Sequence, residues 1–414
     1  MGCSGSSQSG NTRPVNVQGQ VMPAMPQAPP YLGPPNTYQI VNLDVPYRMQ
    51  TSNVWTNSDL QISTLNTEVY EPALVQLYDM DFRLTCFVVT PGSMSASGFI
   101  TSVDVKKQLR AQGIFRKKRD DDKNEKYKLQ IVKSVLPQQI FTYGLFQIGH
   151  QSQAQQDHIF KAIHDYTSSG GRLVCLEVTG GNFQAGQPQQ QRQQQAFGMG
   201  GMGMNNQPAL MFYGYGPNTQ KYVYQMVPAA LVATHNPMTT AFNGQWSLQM
   251  DWQNITANYL SQGWRLVDIF LNQNNEHFTN RTFMATKYTI NLGAMFIFEK
   301  PSSKMNDNTP VYECTMVEYH AKGKMNIGFG SLSTNVPIAW EPVIESMGQN
   351  GWELVRCLQT PATPIQHGFM NMSPDFSNVM WLFFQRKIMK PEEAPAAKTD
   401  DEPPAPVEAP KSSE

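Results

Sequence analysis

The chain has little of what usually marks an enzyme, a secreted domain or a membrane-spanning protein. It has five cysteines in 414 residues, with no CxxC pair and no Cys/His cluster at zinc spacing. Cys86, Cys175, Cys314 and Cys357 lie in apolar, strand-like runs, and Cys3 lies in a polar head. That pattern predicts reduced, buried thiols of a cytosolic protein and argues against a disulfide framework. No apolar run approaches the roughly 18 residues that a spanning helix needs. The head lacks a basic start followed by an apolar stretch, so a secretory signal is not expected. The sequons at Asn254 and Asn280 are then chance matches. Lys and Arg number 31 against 32 Asp and Glu, a net charge of −1, so contact with nucleic acid or an anionic surface would need a local patch.

Catalytic punctuation is also missing. The seven histidines include no HExxH and no ligand pair at helical spacing. There is no GxSxG elbow, no GxxxxGK[ST] loop and no kinase-like HRD or DFG set. Gly198, Gly200 and Gly203 have GxGxxG spacing, but they lie in a Gln/Gly/Met-rich run, 182–207, that neither follows a strand nor opens a helix. They read as a surface loop. No catalytic residue, metal site or cofactor is assigned, and the expectation is a non-enzymatic binding scaffold.

What is present is repetition. WQNITANYLSQGWRLV (252–267) and WEPVIESMGQNGWELV (340–355) each carry two tryptophans in the same frame, Trp252 with Trp264 and Trp340 with Trp352. The frame recurs, worn down, as IFKAIHDYTSSGGRLV (159–174) and YEPALVQLYDMDFRLT (70–85). Apolar or aromatic residues at offsets 0, 3, 4 and 7 form one face of a helix. Gly170, Gly263 and Gly351, with Asp81 in the first copy, stand where a left-handed residue would close that helix. A strand follows, then a loop and a second strand, and another strand precedes each helix. The predicted fold is α+β: four tandem β-α-β-β units, each a helix packed on a small, mainly antiparallel sheet. Their spans are 38–119, 127–215, 221–300 and 311–388. The tryptophans read as core, and Cys175 and Cys357 as two copies of one packing position. One helix on about three strands is marginal alone, so the units are expected to pair. Residues 1–35 read as a flexible tether, and 391–414 as a disordered, acidic, Pro-rich tail.

One charged cluster stands out. Lys106, Lys107, Arg110, Arg116, Lys117, Lys118 and Arg119 precede Asp120, Asp121 and Asp122. A solvated loop half neutralised by its acids is the first reading. Contact with anionic lipid headgroups is the second, at about 1 kcal/mol per basic residue near the surface. Direct nucleic-acid binding comes third, because Phe115 alone offers a stacking ring among these residues.

The chain opens MGCSGSS. Gly2 with Ser6 fits N-myristoylation, and Cys3 beside it fits S-palmitoylation. One myristoyl chain gives reversible binding with K of about 10⁴ M⁻¹, and a second chain adds about 0.8 kcal/mol per buried CH₂.

With these motifs laid out, the chain resembles the raftlin family of lipid-anchored proteins. The likeness is carried, in order, by MGC, EPALVQLYDMDFRL, IFKAIHDYTSSGGRLV, YLSQGWRLVDIFLN with AMFIFEK, and NGWELVRCLQTPATP followed by WLFFQR. The resemblance implies a dually acylated protein, Gly2 and Cys3 carrying the lipids. It also implies residence on the cytosolic face of the plasma membrane, in lipid rafts and on endosomal vesicles, with a role in receptor signalling or endocytic uptake. The Gln-, Pro- and Met-rich tether and the short tail depart from the family, so immune-receptor roles do not carry over. Two other readings remain: a soluble enzyme or small-ligand sensor using clefts between paired units, and a nucleic-acid adaptor acting through the cluster from Lys106 to Arg119. A polar pocket between units, with perturbed titratable groups, would favour the sensor.

Overall fold

The computed structural model describes residues 31, 33–45, 48–50, 67–99, 102–119, 128–142, 150–154, 156–178, 203–215, 220–240, 243–279, 288–328, 331–362 and 375–389. The expected tail 391–414, the expected tether 1–35 apart from residues 31 and 33–35, and most of the 182–207 run lie outside these residues. Its last five, 203–207, belong to a strand.

Four quarters of the chain pass through similar elements. The first holds β1 (Tyr38–Val45), β2 (Arg48–Gln50), α1 (Thr67–Asp79), β3 (Phe82–Phe99) and β4 (Ser102–Lys117). The second holds β5 (Lys128–Thr142), β6 (His150–Ala154), α2 (Gln156–Ser168), β7 (Gly171–Val178) and β8 (Gly203–Tyr215). The third holds β9 (Tyr222–Thr240), β10 (Asn243–Gln249), α3 (Trp252–Leu260), β11 (Arg265–Thr279) and β12 (Tyr288–Pro301). The fourth holds β13 (Tyr312–Gly328), β14 (Ser331–Asn335), α4 (Glu341–Gln349), β15 (Glu353–Gln359) and β16 (Asp375–Lys387).

The fold is mixed α and β, mostly strand, in antiparallel sheets with few helices. The strands do not form four separate β-α-β-β sheets. They form three: β6-β5-β8-β7, β10-β9-β12-β11, and an eight-stranded sheet β1-β4-β3-β14-β13-β16-β15 with β2 on β4. Strand β14, paired with β13 on one side, joins the first and fourth quarters by pairing Ser331–Asn335 with Ser97–Ser93 of β3 on the other. A second strand before the helix, missed in the sequence, makes this join.

Each helix stops on a left-handed residue. Asp81 has φ 63°, Gly170 95°, Gly263 80° and Gly351 75°. In α3 and α4 the residue after the glycine reaches back, Trp264 N to Tyr259 O at 3.2 Å and Trp352 N to Met347 O at 3.1 Å, which satisfies a terminal carbonyl. The following strand then bulges at one recurring place. The register slips between Leu84 and Cys86, Leu173 and Cys175, Leu266 and Asp268, and Leu354 and Arg356. Such a bulge adds twist and turns the strand across its neighbours.

The helices knit the quarters together. Helix α1 packs on β5, α3 on β13 and α4 on β1. Each core is accordingly shared. Leu74, Leu77 and Tyr78 of α1 meet Leu129 and Phe212 of the second quarter. Ile159 and Ile163 of α2 meet Tyr224, Val267 and Phe270 of the third. Trp252, Ile255 and Tyr259 of α3 meet Trp381 and Phe383 of the fourth. Trp340, which caps α4, and Ile344 and Met347 within it meet Cys86, Val88 and Ile114 of the first. Each helix lies between its own sheet and the next, and the fourth closes on the first. The four post-helix strands touch in the cyclic order β3, β7, β11, β15. The expected pairing of units is thus a closed ring of four. All four frame tryptophans contribute to cores, Trp340 fully buried.

Candidate functional site

The ring brings one repeated position to a common centre. Two residues after each left-handed stop stand Arg83, Arg172, Arg265 and Glu353. Opposite them across the sheet register stand Arg116, Gly214, Glu299 and Gln385. At one end of the four strands these residues, all but Glu299, line a polar cavity of about 170 Å³. Arg119, Arg386 and Lys387 complete its cationic lining, seven cations in all with Arg83, Arg116, Arg172 and Arg265.

Two carboxylates hold much of this charge. Glu299, 1% exposed, accepts from Arg172 Nη2 at 2.7 Å and Arg265 Nη1 at 2.8 Å. Tyr224 OH donates to its other oxygen at 3.3 Å and accepts from Leu173 N at 3.0 Å. Glu353 accepts from Arg265 Nη2 at 2.6 Å and pairs with Arg116 Nε at 3.4 Å. Burial opposes ionisation of Glu299, but Arg172 and Arg265 outweigh it and hold the carboxyl below its ordinary range. Burial likewise opposes charge on Arg265, and Glu353 and Glu299 overcome it, so the guanidinium is held more firmly protonated than usual. Burial raises the Tyr312 phenol at the lining. Arg386 stacks on Trp352 at 4.4 Å and pairs with Glu313. Tyr31 lies over the same guanidinium at 5.3 Å, so the N-terminal segment joins the fold beside the cavity.

A second ionic cluster lies deeper, five residues beyond each helix stop, where Cys86, Cys175, Asp268 and Arg356 are equivalent. Spacing alone had matched Cys175 with Cys357; the bulge register matches it with Cys86. Arg356 pairs with Glu177, donates to Leu176 O at 2.8 Å and lies 3.6 Å from Asp268. Asp268 accepts from Leu176 N at 2.6 Å, and Glu177 from Val89 N at 3.1 Å, so all four quarters are tied at this point. Burial lifts Glu177 to about 7, against the pull of Arg356. Burial also pushes the Cys175 and Cys357 thiols well up, and Cys314 to about 12. Protonated, enclosed thiols are poor nucleophiles. Cys86, Cys175, Cys314 and Cys357 are free, and no three His, Cys, Asp or Glu side chains among the described residues converge for a metal.

The residues expected from sequence fall differently. Gly2 and Cys3 lie outside the described residues. The basic cluster is not a loop: residues 102–117 form β4, with Lys106 opposite Ser95, Lys107 opposite Met94 and Arg110 opposite Thr90. Arg116 is corrected from a headgroup contact to a buried residue, 6% exposed and turned inward to Glu353. Lys117 is exposed, while Lys118 and Arg119 are half-buried, with Arg119 on the cavity. Sequence reasoning missed Arg83, Arg172, Arg265, Glu299, Glu353 and Arg386. The available signal was the charged residue before Leu in FRL, GRL, WRL and WEL, a charge held at one repeat position.

No helix among the described residues is long and apolar enough to cross a membrane. Comparison with family models, curated proteins and solved structures gave no match to this chain.

Proposed function

We propose that this protein is a non-catalytic scaffold or trafficking adaptor, held at the cytosolic leaflet of the plasma membrane by a myristoyl group on Gly2 and a palmitoyl group on Cys3. The observation that carries this reading is the MGCSGS start, with Ser6 completing the myristoylation pattern. The raftlin resemblance adds raft residence and a role in receptor signalling or endocytic uptake. We read the four quarters as copies of one β-α-β-β unit; the common helix stop and bulge support that. Buried, protonated thiols are compatible with a scaffold. Thirty residues precede Tyr31. As a flexible chain they would span about 30 Å, enough to reach a bilayer while the ring stays in the aqueous phase.

The test is metabolic labelling with myristate and palmitate analogues, with fractionation of wild type, Gly2→Ala and Cys3→Ser. Both labels and detergent-resistant partition are expected in wild type. Gly2→Ala should lose both labels and become soluble. Cys3→Ser should keep the myristoyl label and detach readily. An unmodified Gly2 and a free Cys3 thiol in cells would overturn the reading.

A second reading, a small-ligand sensor, is favoured by one observation: the polar cavity at the junction of all four quarters, with the shifted groups Arg265 and Tyr312 in its wall.

A further inference from the structure

We propose that Tyr31 and residues 33–38 form a detachable strap over the fourth-quarter wall of the junction cavity, and that the cavity opens when this strap lifts. The inference rests on the sensor reading of the cavity and concerns how that site is governed.

The ring gives the first argument. At three of its junctions the chain runs on from one quarter into the next, whereas the fourth and first quarters are not consecutive. At the third-to-fourth junction the connecting chain covers the helix stop. A Cβ on Gly263 would lie 2.9 Å from Thr309 O and 3.1 Å from Asp307 O. Lys300 Nζ donates to Gln262 O at 2.7 Å and lies over Trp264 at 5.8 Å. The fourth quarter repeats this arrangement with Arg386, which donates from Nη1 to Asn350 O at 3.2 Å and lies over Trp352 at 4.4 Å. What covers its stop, Gly351, comes from the first quarter: a Cβ there would fall on the Tyr31 ring. Tyr38 completes the likeness. Its hydroxyl accepts from Leu354 N at 2.9 Å, as that of Tyr224 accepts from Leu173 N at 3.0 Å at the second-to-third junction. The strap thus fills, from a distant part of the sequence, a place that connecting chain fills elsewhere.

Attachment is the second. Asn36 donates from N to Gly348 O at 2.8 Å and from Nδ2 to Gly351 O at 2.9 Å. Thr37 O accepts from Lys117 N at 2.8 Å, and Tyr38 OH donates to Trp352 O at 2.8 Å. Among Tyr31 and residues 33–38, Asn36 alone is buried, while Pro34, Pro35 and Thr37 are exposed. Beyond the strap, β1 is an edge strand. A segment with so few buried contacts opens at low cost while the rest of the fold stays intact. Pro34 and Pro35 have no N–H to leave unsatisfied, and their fixed φ keeps a lifted segment extended for docking again.

Position is the third. Gly351 and Arg386, which Tyr31 covers, both line the cavity, as do Glu353, Gln385 and Lys387 beside them. Lifting the strap bares the outer side of this wall and frees the turn from Gly348 to Trp352 that carries it. A ligand that prefers the opened cavity would in turn favour release of the strap, because such coupling is reciprocal.

Gly348 supplies the test. It lies inside α4, where alanine is the better helix former, but a Cβ there would stand 2.5 Å from Asn36 O and 2.7 Å from Tyr38 Cε2. Gly348→Ala therefore favours its own helix and expels the strap. Hydrogen exchange of the full chain is followed by mass spectrometry, with thermal melts alongside. In wild type, segments 33–38 and 351–356 should exchange about tenfold faster than 263–268, the matching segment at the third-to-fourth junction. Gly348→Ala should speed the first two by about a further tenfold and leave 263–268 and the melting temperature near wild type. Phenylglyoxal should then modify Arg386 about tenfold faster, with Arg356 in the deep cluster unchanged. If all segments speed up together and the melting temperature falls, the strap belongs to the cooperative fold and the proposal is lost. Unchanged exchange in 33–38 overturns it as well. If the strap lifts and Arg386 reacts no faster, the gate is overturned while the sensor reading stands. A cavity that takes no small ligand undoes the sensor reading and leaves these exchange rates as they are. Should Gly348→Ala fail to fold, Asn36→Ala, which removes the bond to Gly351 O, decides by the same measurements.

Discussion

Asp81, Gly170, Gly263 and Gly351 set the direction of the chain as it leaves each helix, and they do so with unequal strain. An L side chain at φ near +60° to +80° costs about 1–2 kcal/mol. At Gly263 an added Cβ would also lie 2.9 Å from Thr309 O and 3.1 Å from Asp307 O, whereas at Gly170 it would meet nothing within 4 Å. Gly263→Ala should therefore destabilise by clearly more than Gly170→Ala, about 2–3 against about 1 kcal/mol, in urea titrations. Equal losses would show that the backbone near Thr309 yields. Replacing strained, exposed Asp81 with Gly should raise stability by about 0.5 kcal/mol. The Glu177 carboxyl gives a pH signature. Its value is about 7 folded against an ordinary 4.5, so between those limits the folded state keeps a proton that the unfolded chain has lost. Its contribution falls as pH rises from 4.5 to about 7, by up to about 3 kcal/mol. Relative to wild type, Glu177→Gln should gain stability across that window. A difference in melting temperature that stays flat with pH would sink this assignment.

At the scale of elements, the post-helix strands β3, β7, β11 and β15 do the organising. Their bulges turn each strand across the ring, and their first residues deliver charge to the cavity. Glu299 on β12 holds two of those charges, Arg172 and Arg265. Glu299→Gln would leave two guanidiniums facing each other with one partner fewer, and a loss of about 3–5 kcal/mol is expected in chemical denaturation. Because Glu299 sits below its ordinary value, its stabilisation is present above pH 4.5 and disappears as pH falls through the folded value. The variant should accordingly lack part of the wild-type acid transition. The helix faces were partly legible: Leu74, Leu77, Ile159, Ile163, Ile344 and Met347 are buried at the offsets that the 3.6-residue period dictates. Ala73 is exposed, because α1 is rotated so that Tyr78 takes the inward place. The period marks a stripe but not its centre; the next quarter's sheet decides that. The charged position in FRL, GRL, WRL and WEL could be read as repeated. It could not be read as convergent, since convergence depends on ring closure between residues far apart in sequence.

For the whole molecule, closure has an energetic consequence. Every core is shared between two quarters, so no quarter buries its own apolar face alone. The isolated third quarter, 221–301, leaves α3 without Trp381 and Phe383. It should show no cooperative melt, while the full chain should unfold in one calorimetric transition. Separate transitions for the quarters would mean that the junctions are weaker than the shared cores imply.

The amino-acid order by itself determined much of the local grammar: where helices stop, which stripe of each is apolar, and that strands flank them, though not the second strand before each helix. These depend on backbone sterics and on periodicity within about fifteen residues, which a linear reading contains. Only the tertiary structure decided that β14 fuses two quarters into one sheet, that each helix lies on its successor, and that Arg116 turns inward to Glu353. Those outcomes depend on which distant surfaces bury each other, and no spacing along the chain records the angle at which three twisted sheets close into a ring.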